Sequence, residues 1–262
     1  MIDTHTHLYM SDSFPDGGKA AVSHAMDEGV TMMVLPAVDH DSVQPLIELH
    51  RAFPDNTTVA LGLHPTEVET DWKDELSEIL DIGKAVSPVA IGEIGIDLYW
   101  DKKHLTRQMD AFGEQIQIAL DRQLPVIVHS RDAFDETAEV IKSFGSTLPG
   151  IVFHSFTAGR MEMDGLLEVA PEAFFGINGV VTFKNAGPLR EALAYLPTDR
   201  IVTETDSPYL APVPFRGKTN ESAYIPYIVR AIAKVKDLPE EEVAKLTSEN
   251  AYRLFPALPH PL

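Results

Sequence analysis

The chain has 262 residues, of which 44% are hydrophobic and 23% charged, the balance of a soluble globular protein with a sizeable core. It contains no cysteine, which excludes disulfides and thiolate metal ligands, and its formal net charge of -19 disfavours binding of long nucleic acid. No apolar run approaches the roughly 18 residues of a membrane span and no secretory signal precedes the first strand, so we expect a cytoplasmic protein without a membrane partner.

Eight short segments rich in β-branched residues recur along the chain and predict strands. They are almost continuously apolar rather than alternating, as expected for parallel strands that are covered on both faces. The segments are Ile2–His7, Met32–Val38, Thr58–His64, Val89–Gly95, Pro125–Arg131, Ile151–Phe156, Ala173–Val180 and Ile201–Asp206.

The segments between the predicted strands carry helical signals. In His104–Gln123, apolar residues recur three and four positions apart and mark one face of a helix. Asp135–Ser143 and Pro188–Tyr195 show similar periodicity. Two further helices are predicted after the eighth strand, at Ala223–Lys236 and at Pro239–Leu254, where three glutamates favour a helix start.

This alternation predicts an α/β protein with the (β/α)8 TIM barrel fold. A doubly wound open sheet is the alternative fold. Because no linker rich in Gly, Ser or Pro interrupts the alternation, we expect a single domain over residues 1–262. In a barrel the carboxyl ends of the strands converge on one rim, so we expect the active site there.

Residues that can ligate a metal stand at or near the ends of the predicted strands. Alternate residues on a strand point the same way, so His5 and His7 are placed to chelate one ion. Glu93 interrupts an apolar strand, where a carboxylate without a partner is unfavourable. Further candidates stand near the ends of strands three, five, six and eight: His64, His129, His154 and Asp206. A single such histidine is more often structural, but the combination indicates a metal site.

The number of candidate ligands indicates two divalent cations. One tetrahedral catalytic ion commonly uses three protein ligands and a water. Six of these groups therefore suit two ions that share a carboxylate, namely His5, His7, Glu93, His129, His154 and Asp206. Glu93 is the natural bridge, and Asp206 suits the role of accepting the proton of the attacking water, which makes these two the predicted catalytic residues. Nitrogen and oxygen ligands permit Zn²⁺, Mn²⁺, Ni²⁺, Co²⁺ or Mg²⁺, with Mg²⁺ alone disfavoured by the histidines.

Six motifs follow one another along the chain. They are Ile2-Asp3-Thr4-His5-Thr6-His7-Leu8, Gly62-Leu63-His64-Pro65, Ile91-Gly92-Glu93-Ile94-Gly95-Ile96-Asp97, Val128-His129-Ser130-Arg131-Asp132-Ala133, Phe153-His154-Ser155-Phe156 and Glu204-Thr205-Asp206-Ser207-Pro208-Tyr209-Leu210. Together they resemble the TatD-type metal-dependent deoxyribonucleases and hydrolases of the amidohydrolase superfamily, and the resemblance covers essentially the whole chain.

The resemblance implies a residue-by-residue ligand set. One metal would be held by His5, His7, Glu93 and Asp206, and the second by Glu93, His129 and His154. His64 and Arg131 resemble positions that contact a phosphate of the substrate. The family implies hydrolysis of phosphodiester bonds in DNA, often from the 3′ end, and some members act on esters of charged tRNA. We expect a monomer that acts on short or single-stranded ends.

Three loop features affect substrate choice. Thr157-Ala158 depart from the small residue and Gly that the family commonly has after strand six, and Phe215 replaces a histidine that members often have. Tyr99 and Trp100 follow strand four, where they would either stack on a base or pack in the interior.

Two alternatives to a nuclease remain at this point. One is an amidohydrolase-like enzyme that cleaves an amide, lactone or ester, such as a D-aminoacyl-tRNA deacylase-type ester hydrolase. Many such enzymes bridge their metals with a modified lysine, and Glu93 in its place favours the nuclease. The other is a metal-binding module without catalysis, against which Asp206 argues, since a metal store gains little from a general base.

Overall fold

The computed structural model describes residues 1–100 and 102–259. Within them, eight strands form one sheet in which neighbours follow chain order and every pair is parallel. The strands are β1 (Ile2–Asp3), β2 (Met32–Pro36), β3 (Thr57–Leu61), β4 (Ala90–Asp97), β5 (Val126–Arg131), β6 (Ile151–Phe153), β7 (Phe174–Ile177) and β8 (Ile201–Thr203). The predicted domain, residues 1–262, also includes Asp101 and residues 260–262, which lie outside the described residues.

The first and last strands meet and close the sheet. The backbone N–H of Thr4 donates to the carbonyl of Thr203 at 3.0 Å, and the hydroxyl of Thr203 donates to the carbonyl of Ile2 at 2.9 Å. Farther along, the N–H of His7 donates to the carbonyl of Ser207 at 2.8 Å. These bonds exclude the doubly wound open sheet, and the predicted (β/α)8 TIM barrel is confirmed.

In the described part of the chain, nine α-helices accompany the strands. They are α1 (Lys19–Asp27), α2 (His40–Ala52), α3 (Trp72–Ile82), α4 (Leu105–Arg122), α5 (Phe134–Phe144), α6 (Arg160–Val169), α7 (Gly187–Tyr195), α8 (Ile225–Lys236) and α9 (Glu240–Leu254). The predicted face of α4 is the buried one, with Phe112 and Ile116 in the core. That helix ends where Gln123 takes a left-handed conformation, with φ of 55°.

A small apolar cluster closes the end of the barrel opposite the rim. It draws on every strand, which places it in the barrel interior, with members such as Ile2, Ala90 and Val202. Leu254 and Phe255, at the end of α9, join the same cluster and plug this end. The interior at the amino-terminal ends of the strands is therefore dry, and the polar residues collect at the carboxyl ends.

Several strands end earlier than predicted. β1 stops at Asp3 rather than His7, and β8 stops at Thr203 rather than Asp206. Asp206 itself adopts a left-handed conformation, with φ of 57°, which turns the backbone away from the strand direction. His5 and His7 therefore lie beyond β1, so the predicted end of this strand at His7 was wrong, although the two rings still meet, with their Nε2 atoms 3.1 Å apart.

None of the helices in residues 1–100 and 102–259 combines the length and the apolar character that crossing a membrane requires.

Candidate metal centre

Glu93 lies at the middle of the rim, and its two carboxylate oxygens face different histidines. Oε2 lies 3.1 Å from Nε2 of His5 and 3.7 Å from Nε2 of His7. Oε1 lies 2.6 Å from Nε2 of His154 and 2.8 Å from Nδ1 of His129. From β4, Glu93 therefore contacts histidines that follow β1 and histidines on or after β5 and β6.

One half of the centre is built by the segments after β1 and β8. Nε2 of His5 and Nε2 of His7 are 3.1 Å apart, and both lie within 3.9 Å of Oδ1 of Asp206. The backbone N–H of Asp206 donates to the carbonyl of His5 at 2.9 Å, which holds the two segments together. These three residues form one group that could hold a metal ion.

The other half is built by β5, β6 and the segment after β3. Nδ1 of His129 lies 3.3 Å from Nε2 of His154 and also 3.3 Å from Nε2 of His64. His64 is 3.5 Å from Oε1 of Glu93, so it completes a group with Glu93 and His129 that could hold a metal ion. The predicted phosphate-contacting residue His64 is thus within reach of the ligands themselves.

Hydrogen bonds behind two of the rings fix which nitrogen faces the centre. The hydroxyl of Tyr9 donates to the carbonyl of Pro36 at 2.6 Å, so it accepts from Nδ1 of His7 at 3.0 Å. Oδ2 of Asp97 accepts from Nε2 of His129 at 2.9 Å. In the neutral form of each ring, Nε2 of His7 and Nδ1 of His129 are the nitrogens left to ligate a metal. Although burial lowers the pKa of His129, Asp97 and Glu93 raise it above its ordinary value, so a cation would replace the second proton of that ring.

A second buried carboxylate lies behind His154. Oε1 of Glu204 is 3.6 Å from Nδ1 of His154 and accepts the backbone N–H of Ser155. Gly176 leaves the space for it, because a Cβ at that position would collide with the Glu204 carboxylate. Glu204 thus places a carboxylate behind the ring whose Nε2 faces Glu93.

The buried groups differ in the charge that they favour. Burial lowers the pKa of His5 to about 4 and that of His7 well below its ordinary value, so both rings are neutral. Burial alone would raise the pKa of Glu93, but the neighbouring imidazoles, first that of His154, hold it well below its ordinary value. Burial raises the pKa of Asp206 to about 7.

The donor set fits divalent cations. Nε2 of His5 and Nε2 of His7 lie 3.1 Å apart, and Nδ1 of His5 is buried without a hydrogen-bond partner in the described part of the chain, so the proton of this neutral ring can move to Nδ1 and leave Nε2 to a cation. Metal–ligand bonds of about 2.0–2.2 Å place neighbouring donors roughly 3–3.5 Å apart around an ion, which matches these separations. Although burial lowers the pKa of His154, Glu93 raises it well above its ordinary value, and a cation would take the place of that proton.

Three cations on the rim form no ion pair within 4 Å among the described residues, although the charge of Arg131 acts on Asp97, and each lies against an aromatic ring. The guanidinium of Arg131 is 3.8 Å from the ring centre of Tyr99, and that of Arg216 is 3.6 Å from the ring centre of Phe183. Lys218 lies 5.8 Å from the ring centre of Phe215. Arg216 and Lys218 line an open cleft of about 520 Å³ beside the segment that follows Asp206.

The structure also locates the loop residues that depart from the family pattern. Phe215 stacks on Tyr224 at 4.0 Å between ring centres and meets Tyr227 edge-on at 5.0 Å. It therefore anchors the loop after β8 to the start of α8. Thr157 and Ala158 lie in the loop between β6 and α6, and nothing in the structure explains their departure.

Sequence reasoning proposed the ligands and missed the residues that orient them. Asp97, Glu204 and Tyr9 were given no role, although two of them stand inside the quoted motifs. The available signal was a carboxylate within an apolar strand, the same signal that identified Glu93: Asp97 and Glu204 are both almost fully buried.

Comparisons with known proteins identify the family and the fold. The sequence matches the family described as TatD related DNase over residues 2–256. The metal-dependent hydrolase YabD of Bacillus subtilis is 35% identical over 260 residues, which cover 97% of this chain and 98% of that protein. The 3′-5′ ssDNA/RNA exonuclease TatD of Pectobacterium carotovorum is 34% identical over 261 residues, covering 97% and 99%. The crystal structure of YJJV, a TatD homologue from Escherichia coli K12, matches with a TM-score of 0.89 and 28% identity, over 98% of each chain.

Proposed function

The chain belongs to the family of TatD-related DNases, a family of metal-dependent hydrolases, and from this premise we propose that it removes nucleotides from the 3′ ends of single-stranded nucleic acid by phosphodiester hydrolysis. The observation that carries the proposal is the carboxylate of Glu93, whose two oxygens face two separate sets of imidazoles. The relative from Pectobacterium named a 3′-5′ ssDNA/RNA exonuclease supports the direction and the substrate class.

Two divalent cations suit the ligand set. One ion would be held by His5, His7, Asp206 and Glu93, and the other by Glu93, His129 and His154, whose ring nitrogens lie 2.8 and 2.6 Å from Oε1 of Glu93. When bound, such a pair lowers the pKa of a water and offsets negative charge on the phosphodiester oxygens. All these ligands come from one chain, so the proposed site needs no residue from a second copy.

Asp206 is the group that we assign to the proton of the attacking water. Its side chain is 16% exposed, whereas that of Glu93 is 4% exposed, so water reaches Asp206 more readily. Its Oδ1 also faces the ring nitrogens of His5 and His7, which places the proton acceptor beside the ligands.

His64 and Arg131 orient the phosphate in this proposal. Nε2 of His64 faces Glu93, while its Nδ1 is 2.7 Å from the hydroxyl of Thr66, which holds the ring in place. Arg131 is exposed on the rim, two positions after His129 on β5. A planar guanidinium there binds phosphate oxygens in pairs.

The negative net charge of the protein favours a short nucleic-acid substrate over a long one. With a formal net charge of -19, the protein repels a long polyanion, and the unpaired cations Arg131, Arg216 and Lys218 attract phosphate only at the rim. A few phosphates at a strand end can reach these cations, whereas a long duplex must also lie against the acidic surface.

A substrate panel tests the proposal. The purified protein with added Mn²⁺ is assayed on single-stranded DNA, duplex DNA, RNA and an aminoacyl ester, with labels at either end of each strand. We expect shortening of single strands from the 3′ end and slow cleavage of duplex. Cleavage of the ester without cleavage of any phosphodiester would contradict the proposal and support the amidohydrolase-like alternative.

A further inference from the structure

Two aromatic side chains stand exposed beside the metal centre, in the loop that follows β4. Tyr99 is 52% exposed and Trp100 is 69% exposed, so the predicted alternative of interior packing is wrong for both. What distinguishes this pair is that two exposed aromatic rings are adjacent and lie beside the metal centre, since contiguous exposed apolar surface often marks a binding site. Their rings meet edge to face, with 4.8 Å between centres and 88° between planes, which leaves the indole of Trp100 open to solvent.

The loop that carries these rings is fixed to the metal centre through Asp97. Oδ1 of Asp97 accepts the backbone N–H groups of Tyr99 at 2.9 Å and Trp100 at 3.0 Å. Its other oxygen, Oδ2, accepts from Nε2 of His129 at 2.9 Å. One buried carboxylate thus orients a candidate ligand and the aromatic loop at the same time, and the ring positions are set relative to the site.

Arg131 completes the arrangement. It pairs with Asp97 in the β4–β5 register, and its guanidinium covers one face of Tyr99 at 3.8 Å while lying 5.7 Å from the ring centre of Trp100. This guanidinium makes no hydrogen bond or ion pair with another residue of the described part of the chain. A cation and an open aromatic face therefore stand side by side, as a phosphate and a base stand side by side in a nucleotide.

We propose that Trp100 is a stacking platform for one unpaired base of the strand and that Arg131 binds a phosphate beside that base. The proposal rests on the proposed phosphodiesterase activity and adds the residue that makes the site select single strands. A base inside a duplex is stacked on both faces and paired at its edge, so only an unpaired base can leave the stack and lie against Trp100. Every base has an aromatic face, so the platform predicts tolerance of sequence.

Stacking also suits the charge of this protein. The attraction between an indole and a base does not depend on net charge, so it supplies affinity that the acidic surface does not. The platform therefore holds a strand end at a site that repels the rest of a long polyanion.

Oligothymidylate and a matched oligonucleotide with abasic 3′-terminal residues test the platform. The abasic strand keeps its phosphates and lacks the bases that stack. The measured quantity is kcat/KM on the intact strand divided by kcat/KM on the abasic strand. We expect this ratio to fall about tenfold in Trp100→Ala and to stay close to the wild-type value in Trp100→Phe, which keeps an aromatic ring. Tyr195→Ala, which removes a ring that is 59% exposed on α7, serves as the control.

The fluorescence of Trp100, measured as the strand binds and before any turnover, provides a second test. Trp100 is one of two tryptophans and the other, Trp72, is buried, so stacking should quench the fluorescence of the wild type and not that of Trp100→Phe. A wild type that cleaves both strands at equal rates, with a ratio unchanged in Trp100→Ala, would overturn the platform and leave the phosphodiesterase intact. A wild type that cleaves neither strand would instead overturn the proposed function and the platform with it.

Discussion

Asp97 and His129 are joined by a hydrogen bond of 2.9 Å between Oδ2 and Nε2, and this bond leaves Nδ1 of His129 facing Glu93. The carboxylate is almost fully buried and the ring is half-buried, so solvent competes weakly for the bond. A ligand ring held from behind by a carboxylate is both fixed in direction and more basic. The relationship therefore assigns Asp97 a positioning role that its place in the sequence did not reveal.

Replacing Asp97 should weaken metal binding. In Asp97→Asn the negative charge behind His129 is lost while the shape is kept, and we expect the dissociation constant of one ion to rise about 10- to 100-fold. Competition with a fluorescent chelator measures this constant. Asp121→Asn, an exposed change on α4, is the control. Equal metal affinity in the two variants would remove Asp97 from the positioning of His129.

The space beside Glu204 should tolerate no added methyl group. Gly176→Ala would bring a Cβ against the buried Glu204 carboxylate, so we expect the free energy of unfolding to fall by about 1–3 kcal/mol. Gly165→Ala on α6 is the matched control, because a Cβ there meets nothing within 4 Å. We expect that change to stabilise the protein by roughly 0.5–1 kcal/mol. Urea unfolding measures both, and losses of equal size would contradict the crowding argument.

Asp206 should matter more for turnover than for affinity. Asp206→Asn keeps an oxygen donor beside His5 and His7 but cannot accept the proton, so we expect kcat to fall by about 10²- to 10⁴-fold with little change in KM. Steady-state kinetics on a short single strand, with the metal content measured in parallel, provide the comparison. Near-normal turnover would remove Asp206 from the proton transfer.

Removing metal should lower the stability of the fold as well as its activity. Chelation leaves the facing nitrogens of His5 and His7 without a cation, and the native state loses about 2.7 kcal/mol for each ion that had been present at a hundred times its dissociation constant. Thermal unfolding before and after dialysis against a chelator detects this, and Mn²⁺ added back should restore both properties. A midpoint that does not move would mean that the site binds no ion tightly.

The barrel was predictable from the sequence because its signal is local. Each parallel strand is a short apolar run, and each helix, such as α4, repeats its apolar residues at helical spacing. The ligand set was accessible for a related reason. Burying a carboxylate such as Glu93 inside an apolar strand costs free energy unless a charged or polar partner offsets it, so its presence indicates a functional site.

The remaining features depend on contacts between segments that are distant in the chain. β1 and β8 end early because the segments after them turn toward the centre, and the left-handed conformation of Asp206 cannot be read from its neighbours. Whether Asp97 pairs with His129 or with another partner depends on the β4–β5 register. The exposure of Trp100 likewise follows from the path of its loop and not from its residue type.

The metal content of the wild type and of Glu93→Ala, measured by elemental analysis beside their turnover, tests the bridging role of Glu93 most directly. We predict two ions per chain in the wild type, since each oxygen of Glu93 faces its own set of ring nitrogens. In Glu93→Ala, metal content and turnover should fall together. A variant that loses turnover but keeps both ions would contradict the bridge.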